Sequence, residues 1–198
     1  MPAETFASAQ DYLEREAPDL PSCLVLDVWL PGLDGLELQQ ALAYREEQIA
    51  FITGYGDIPM CAHAMKAGAV DFLTKPVDDE TLLAAVARAL DRSTELRKKK
   101  AKRASARAKL DRLTPREFEV MRWIIAGLLN KQIAAELGAA EKTVKVHRGR
   151  VMAKMEVASV AELVRLAQTA GIAPSSAHAQ ERAGFSNDHE DGGSKVAR

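Results

Sequence analysis

The 198-residue chain has no apolar run near the ~18 residues of a membrane span. Its start also lacks the basic and apolar regions of a secretory signal, so the expected location is cytoplasmic, away from any membrane. Cysteine is scarce. Cys23 and Cys61 form no disulfide framework and have no metal-ligand spacing, so they read as reduced thiols. The four histidines, His63, His147, His178 and His189, are scattered and argue against a metal centre. A dominant charge sign is missing too, since the total is only −1.

That total hides an asymmetry. Residues 1–90 hold 15 acids and 5 bases, whereas 91–112 hold 3 acids and 10 bases. Residues 113–170 hold 6 acids and 9 bases, and 171–198 hold 4 and 3. An acidic half joined through a basic segment to a basic half indicates two domains, with nucleic acid meeting the second. The length suffices for two small cores.

The basic half centres on EKTVKVHRGRVMAKM, residues 141–155. At helical spacing Val144, Val151 and Met155 share one line, with Met152 beside them. The opposite arc carries Lys142, Thr143, Lys145, Val146, Gly149, Arg150 and Ala153. A major groove admits such a helix: cations meet phosphates and guanine edges, and small apolar groups meet thymine methyls. Arg148 falls near the apolar arc and ranks below Lys145 and Arg150.

Around it the chain predicts a bundle of short helices. Thr114, Pro115 and Glu117 stand where an N-cap, a first helical residue and a capping-box partner belong. Gly127 ends that helix, Asn130 caps the next, and Gly138 closes it. A last helix opens at Ser159 with Glu162 as a second capping box. Four helices with a tight turn between the second and third make a helix-turn-helix domain. Val160, Leu163 and Val164 recur at helical spacing in the last helix. A 58-residue domain cannot bury all of them, which marks them as dimer contacts.

In the acidic half, a strand is expected to end at residues 5–7, followed by a helix over 9–15. Apolar runs at 23–27, 49–53 and 70–73 read as buried parallel strands separated by helices over 36–43 and 57–68. A further amphipathic helix covers 79–90. The β-α-β-α-β-α order implies a parallel sheet with right-handed crossovers. Three strands then end near Asp27, Thr53 and Lys75, on the sheet edge where ligands bind. A carboxylate there can accept a phosphoryl group, an ammonium can balance its charge and a hydroxyl can bond its oxygens. Residues 91–112 are too poor in large apolar side chains to pack their own core. They are expected to continue the preceding helix and then become a flexible joint.

The segments LVLDVWLPGLDGLEL, FITGYGDIPM and AMKAGAVDFLTKPVDDETLLAAV resemble the receiver domain of FixJ/NarL-type two-component response regulators. LTPREFEVMRWIIAGLLNKQIAAELG followed by TVKVHRGRVMAKM resembles the LuxR-type DNA-binding domain of the same family. The resemblance implies Asp27 as phosphoacceptor, Thr53 and Phe72 as the hydroxyl and aromatic that rearrange, and Lys75 as charge partner before a cis Pro76. It implies Mg2+ held by Asp27 and the backbone carbonyl of Trp29. A sensor histidine kinase is the implied partner. It implies a recognition helix over 141–155, with Lys145 and Val146 at bases. Lys131, Thr143, His147, Arg150 and Lys154 complete the DNA-contacting set. A homodimer through residues 159–170 would sit on an inverted repeat in promoter DNA.

Two departures matter. The chain begins at what resembles the family's second strand, and no acidic pair precedes Asp27 at a strand end. Ala139 and Ala140 stand where the family usually has an apolar residue and a Ser or Thr cap.

The expected fold is therefore an α/β, parallel-sheet, flavodoxin-like receiver lacking its first strand and helix, followed by a small all-α helix-turn-helix domain. The expected boundaries are 1–90 for the receiver-like domain, 91–112 for a basic helical linker, 113–170 for the DNA-binding domain and 171–198 for a disordered tail. The function expected is sequence-specific transcription regulation without ordinary enzymatic activity, and without phosphorylation control. Three rivals stand beside it. An ordinary phosphorylation-switched regulator requires a true start upstream. A heterodimerising interaction module predicts no DNA binding. A haloacid dehalogenase-type phosphatase needs a carboxylate where Trp29 stands.

Overall fold

The computed structural model describes residues 2–16, 19–30 and 32–175, so the expected tail lies outside them from residue 176 onward. The chain divides into two units, Met1–Lys100 and Ala101–Arg198.

In the first unit, α1 (Ala9–Glu14), β1 (Leu24–Asp27), α2 (Gly35–Ala41), β2 (Ile49–Thr53), α3 (Ile58–Lys66) and β3 (Asp71–Thr74) precede the long helix α4 (Asp79–Leu110). The strands lie in the order β1-β2-β3, all parallel, with Leu26 beside Phe51 and Phe51 beside Phe72. Alternation along the strands feeds two apolar layers. Leu26, Ile49 and Phe51 pack with Ala9, Tyr12, Leu38 and Ala64 on one face. Ala50, Ile52 and Leu73 pack with Leu82 and Ala85 of α4 on the other. Helix starts follow local chemistry: Asp34 and Glu37 form a reciprocal capping box at α2. Asp57 accepts from the Met60 N–H at 2.8 Å to open α3.

Two expectations need correction here. Residues 5–7 form no strand, because the described residues offer them no neighbouring strand to pair with; Phe6 instead sets its ring edge against Tyr12 at 5.2 Å. The joint expected within 91–112 is absent, since α4 runs unbroken to Leu110. Ala, Lys and Arg favour the helix, and Ala106 and Leu110, four apart, are buried in the core of the second unit.

That second unit holds α5 (Pro115–Ile125), α6 (Asn130–Glu136), α7 (Glu141–Met155) and α8 (Val160–Ala170). Its core is built from Val120, Met121, Ile124, Ile133, Val144, Val151, Met155 and Leu163. Gly127, at φ +87°, takes the left-handed turn that lets the chain leave α5 and start α6 within a few residues. Asn130 is the first residue inside α6, so it does not cap that helix. Leu129 occupies the cap position, and its N–H donates to the Gln132 side chain at 2.8 Å. At α8, Ser159 accepts from the Glu162 N–H, but Glu162 reaches back to the N–H of Ala158, one residue before the cap.

Candidate phosphoacceptor site and nucleic-acid interface

The carboxyl ends of β1 and β3 bring Asp27 and Lys75 together, with the Lys75 ammonium 2.7 Å from Asp27 Oδ2. The other carboxylate oxygen accepts the Trp29 backbone N–H at 3.1 Å. Desolvation raises the Asp27 carboxyl, but the Lys75 ammonium and the Trp29 and Val28 N–H groups outweigh it and hold the group below the ordinary aspartate range. The Lys75–Pro76 bond is cis. Asp27, Trp29, Gly54, Tyr55 and Lys75 line an open cavity of about 470 Å³.

Thr53 and Phe72 are placed differently. Thr53 is fully buried, and its hydroxyl is engaged by Tyr55, donating to the carbonyl at 3.2 Å and accepting from the N–H at 3.3 Å. Phe72 lies against Phe51, ring centres 6.0 Å apart. Both reach Gly56, where an added Cβ would stand 2.8 Å from Phe72 and 3.0 Å from Thr53.

The residues present do not fit a divalent cation. Among the described residues no group of three His, Cys, Asp or Glu side chains could hold one. Asp27 is the only carboxylate among the described residues lining the cavity, and each of its oxygens already accepts one bond. Beside an Asp27 already paired with Lys75, the Trp29 carbonyl does not supply the further anionic ligand that would hold magnesium firmly.

In the second unit α7 has the division its sequence implies. Val144, Val151 and Met155 are buried, whereas Lys142, Thr143, Lys145, Val146, Gly149, Arg150 and Ala153 are exposed. Lys131 is exposed on α6, and His147 is half-buried. Arg148 turns back to α6 and donates to the Asn130 side-chain oxygen at 3.3 Å. Ala140 occupies the cap position of α7 and supplies no side-chain bond.

Two expected site residues are not available. Lys154 is drawn inward to Glu117, its ammonium 2.6 Å from a carboxylate that is only 3% exposed. A buried carboxylate needs a partner, so this cation is committed to the fold. Leu163 is wholly buried in the core and cannot meet a second copy; Val160 and Val164 are half-buried. Val160 packs in part against that same core.

The sequence reading missed the centre of this network. Glu117 accepts the Thr114 N–H at 2.9 Å as well as Lys154, and these bonds outweigh desolvation to hold its carboxyl down at about 2. The capping box was legible, but its ion pair 37 residues away was not. Also missed was Glu156, the left-handed cap of α7, which pairs with Lys109 at 3.0 Å and Arg112 at 2.7 Å.

Comparison with known proteins finds a family for each of the two units. The family of bacterial regulatory proteins described as luxR matches residues 111–167, and the response regulator receiver domain matches residues 1–87. Nodulation protein W of Bradyrhizobium diazoefficiens is 51% identical over 84% of this chain and 74% of its own length. Transcriptional regulatory protein FixJ of Azorhizobium caulinodans is 44% identical over 84% of this chain and 80% of its own. The solved structure of response regulator StyR is 46% identical, covering 83% of this chain and 84% of that one, with a TM-score of 0.73. An acidic parallel-sheet unit with Asp27 at a strand end, then a basic helix-turn-helix unit, thus belongs to the FixJ-type two-component response regulators, transcription regulators with a receiver domain and a LuxR-type DNA-binding domain.

Proposed function

We propose that this chain binds promoter DNA as a homodimer by laying α7 in the major groove. Lys145 and Val146 meet base edges, while Lys131, Thr143, His147 and Arg150 serve the phosphates. Supporting this is the outward arc of α7: the side chains of Lys142, Lys145 and Arg150 have no hydrogen bond or ion pair among the described residues, although those of Arg148 and Lys154 on the same helix are tied down. The cations left over match a polyanion. Val164, with its exposed neighbours Ala161, Arg165 and Gln168 on α8, supplies the surface for a second copy. Two copies related by a two-fold axis require an inverted repeat.

Asp27 stands at the phosphoacceptor position, and a sensor histidine kinase is the class of donor that position implies. Among the described residues the donor set around it holds no second carboxylate, so we assign Asp27 and Lys75 to a closed ion pair that does not switch DNA binding. Selection from a random duplex pool with the purified chain tests the proposal. Enrichment of an inverted repeat is expected; a pool that stays random would refute it.

A further inference from the structure

The buried line of α7, Val144, Val151 and Met155, is apolar and narrow. Apolar burial has no direction, so it holds the helix down without fixing its rotation about its own axis. The start of the helix adds nothing directional, because Ala140 at the cap position makes no side-chain bond. Directional contacts come from two cations that leave α7 on opposite sides. At about 100° per residue, Arg148 stands about 40° to one side of Val144 and Lys154 about 80° to the other. Arg148 is half-buried, and its Nη1 donates to Asn130 Oδ1 of α6 at 3.3 Å. Lys154 Nζ lies 2.6 Å from Glu117 Oε2 of α5. One flank of α7 is thus tied to α6 and the other to α5.

Rotation matters because bonds to base edges are short and directional. The side-chain envelope of a helix has a radius of about 5–6 Å, so each ~10° of rotation moves its outer atoms by about 1 Å. A shift of that size takes a hydrogen bond from good geometry to none. Lys145 lies three residues before Arg148, within one turn and on the same flank, whereas Lys154 is more than two turns away. The tie nearest Lys145 is therefore the one to α6. We propose that Arg148 is a positioning residue: through Asn130 it fixes the rotation of α7 and aims Lys145 at its base pair, without itself touching DNA. This rests on α7 being the recognition helix.

The test uses the full chain with its selected duplex and a random duplex. Arg148→Met keeps the apolar stem and removes the donor, and Asn130→Ala removes the acceptor. Each should weaken binding to the selected duplex about tenfold and leave random DNA within about twofold. The salt slope should not change, since no phosphate contact is lost. The Trp123 melt, in a Trp29→Phe background, should stay within about 3 °C. Combined with Lys145→Ala, Arg148→Met should cost nothing further, because the contact it aims is already gone; combined with Lys131→Ala, the losses should add. Equal weakening of selected and random DNA with a shallower salt slope would make Arg148 a phosphate contact and overturn the inference. Unchanged binding in both single variants, full additivity with Lys145→Ala, or a larger drop in the melt would overturn it too. If Lys145→Ala itself leaves specific binding intact, the reading of α7 falls and this inference falls with it.

Discussion

Glu117→Gln removes one charge from the DNA-binding unit and leaves side-chain volume almost unchanged. The wild-type carboxylate is 2% exposed and receives the Thr114 N–H at 2.9 Å and the Lys154 ammonium at 2.6 Å. Its titration falls from an ordinary 4.5 to about 2. At about 1.4 kcal/mol per pKa unit the shift sets a ceiling of about 3.4 kcal/mol on the charge-specific stabilisation. The Lys154 side chain is 34% exposed, so water screens part of that, and about 2 kcal/mol is the working value. The glutamine still accepts the Thr114 N–H, so the cap persists and the loss reports the ion pair. In a domain of this size that corresponds to about 8–16 °C in Tm. Trp123 in α5 is the tryptophan of the second unit, so its fluorescence in a Trp29→Phe background follows that unit alone. A depressed carboxyl stabilises above its unfolded pKa and loses that contribution as pH falls through the folded value. The gap between wild type and Glu117→Gln should therefore be full at pH 7 and shrink between pH ~4.5 and ~2. A gap below about 0.5 kcal/mol at pH 7, or one unchanged at pH 3, would refute the reasoning.

Lys145→Ala should weaken specific binding by about 1–3 kcal/mol and relax preference at one base pair, read by titration against single-position variants of the selected site. Lys131→Ala should weaken all sequences alike and lower the salt slope by about one unit; equal effects of both changes on specific and random DNA would contradict the division of roles. Val164→Glu should leave the Trp123 melt within about 1 kcal/mol of wild type and abolish cooperative binding to paired half-sites, and undiminished cooperativity would move the dimer contact off α8.

The elements were legible wherever periodicity and end signals agreed. Asp57 with Pro59, and Thr114 with Glu117, marked their helix starts because a short acceptor side chain and a preset first turn act within four residues. The strand ends at Asp27 and Thr53 followed from continuous apolar runs that stop at a polar residue. Long-range partnership was not legible. Nothing local distinguishes Lys154, held by Glu117, from Arg150, which faces outward; they differ by four residues and about one turn. Leu163 shows the limit of spacing from the other side. Helical recurrence groups it with Val160 and Val164, but only the tertiary arrangement assigns Leu163 to the core and leaves Val164 at the surface. Residues 91–112 mislead for a similar reason: too few apolar groups to form a core, yet Ala106 and Leu110 suffice to join one that other helices build.

The phosphoacceptor site carries the last expected outcome. Phosphoryl transfer to a carboxylate is catalysed mostly by position and by neutralising charge on the phosphoryl oxygens. Magnesium supplies that neutralisation when held by one or two carboxylates with phosphate and water. Among the described residues the cavity offers Asp27 as its one carboxylate, which would have to serve as nucleophile and metal ligand while keeping its 2.7 Å bond to Lys75. The hydroxyl expected to respond is fully buried, its bonds going to Tyr55. Turning it toward a phosphoryl group would break those bonds, at a cost of about 0.5–1.5 kcal/mol each. The purified chain should therefore neither label with small phosphodonors nor bind its selected duplex more tightly when magnesium and beryllofluoride are added. Asp27→Asn should leave DNA affinity unchanged. Stoichiometric labelling that disappears in Asp27→Asn, together with tighter DNA binding, would show that the Asp27–Lys75 pair opens readily and that one carboxylate suffices.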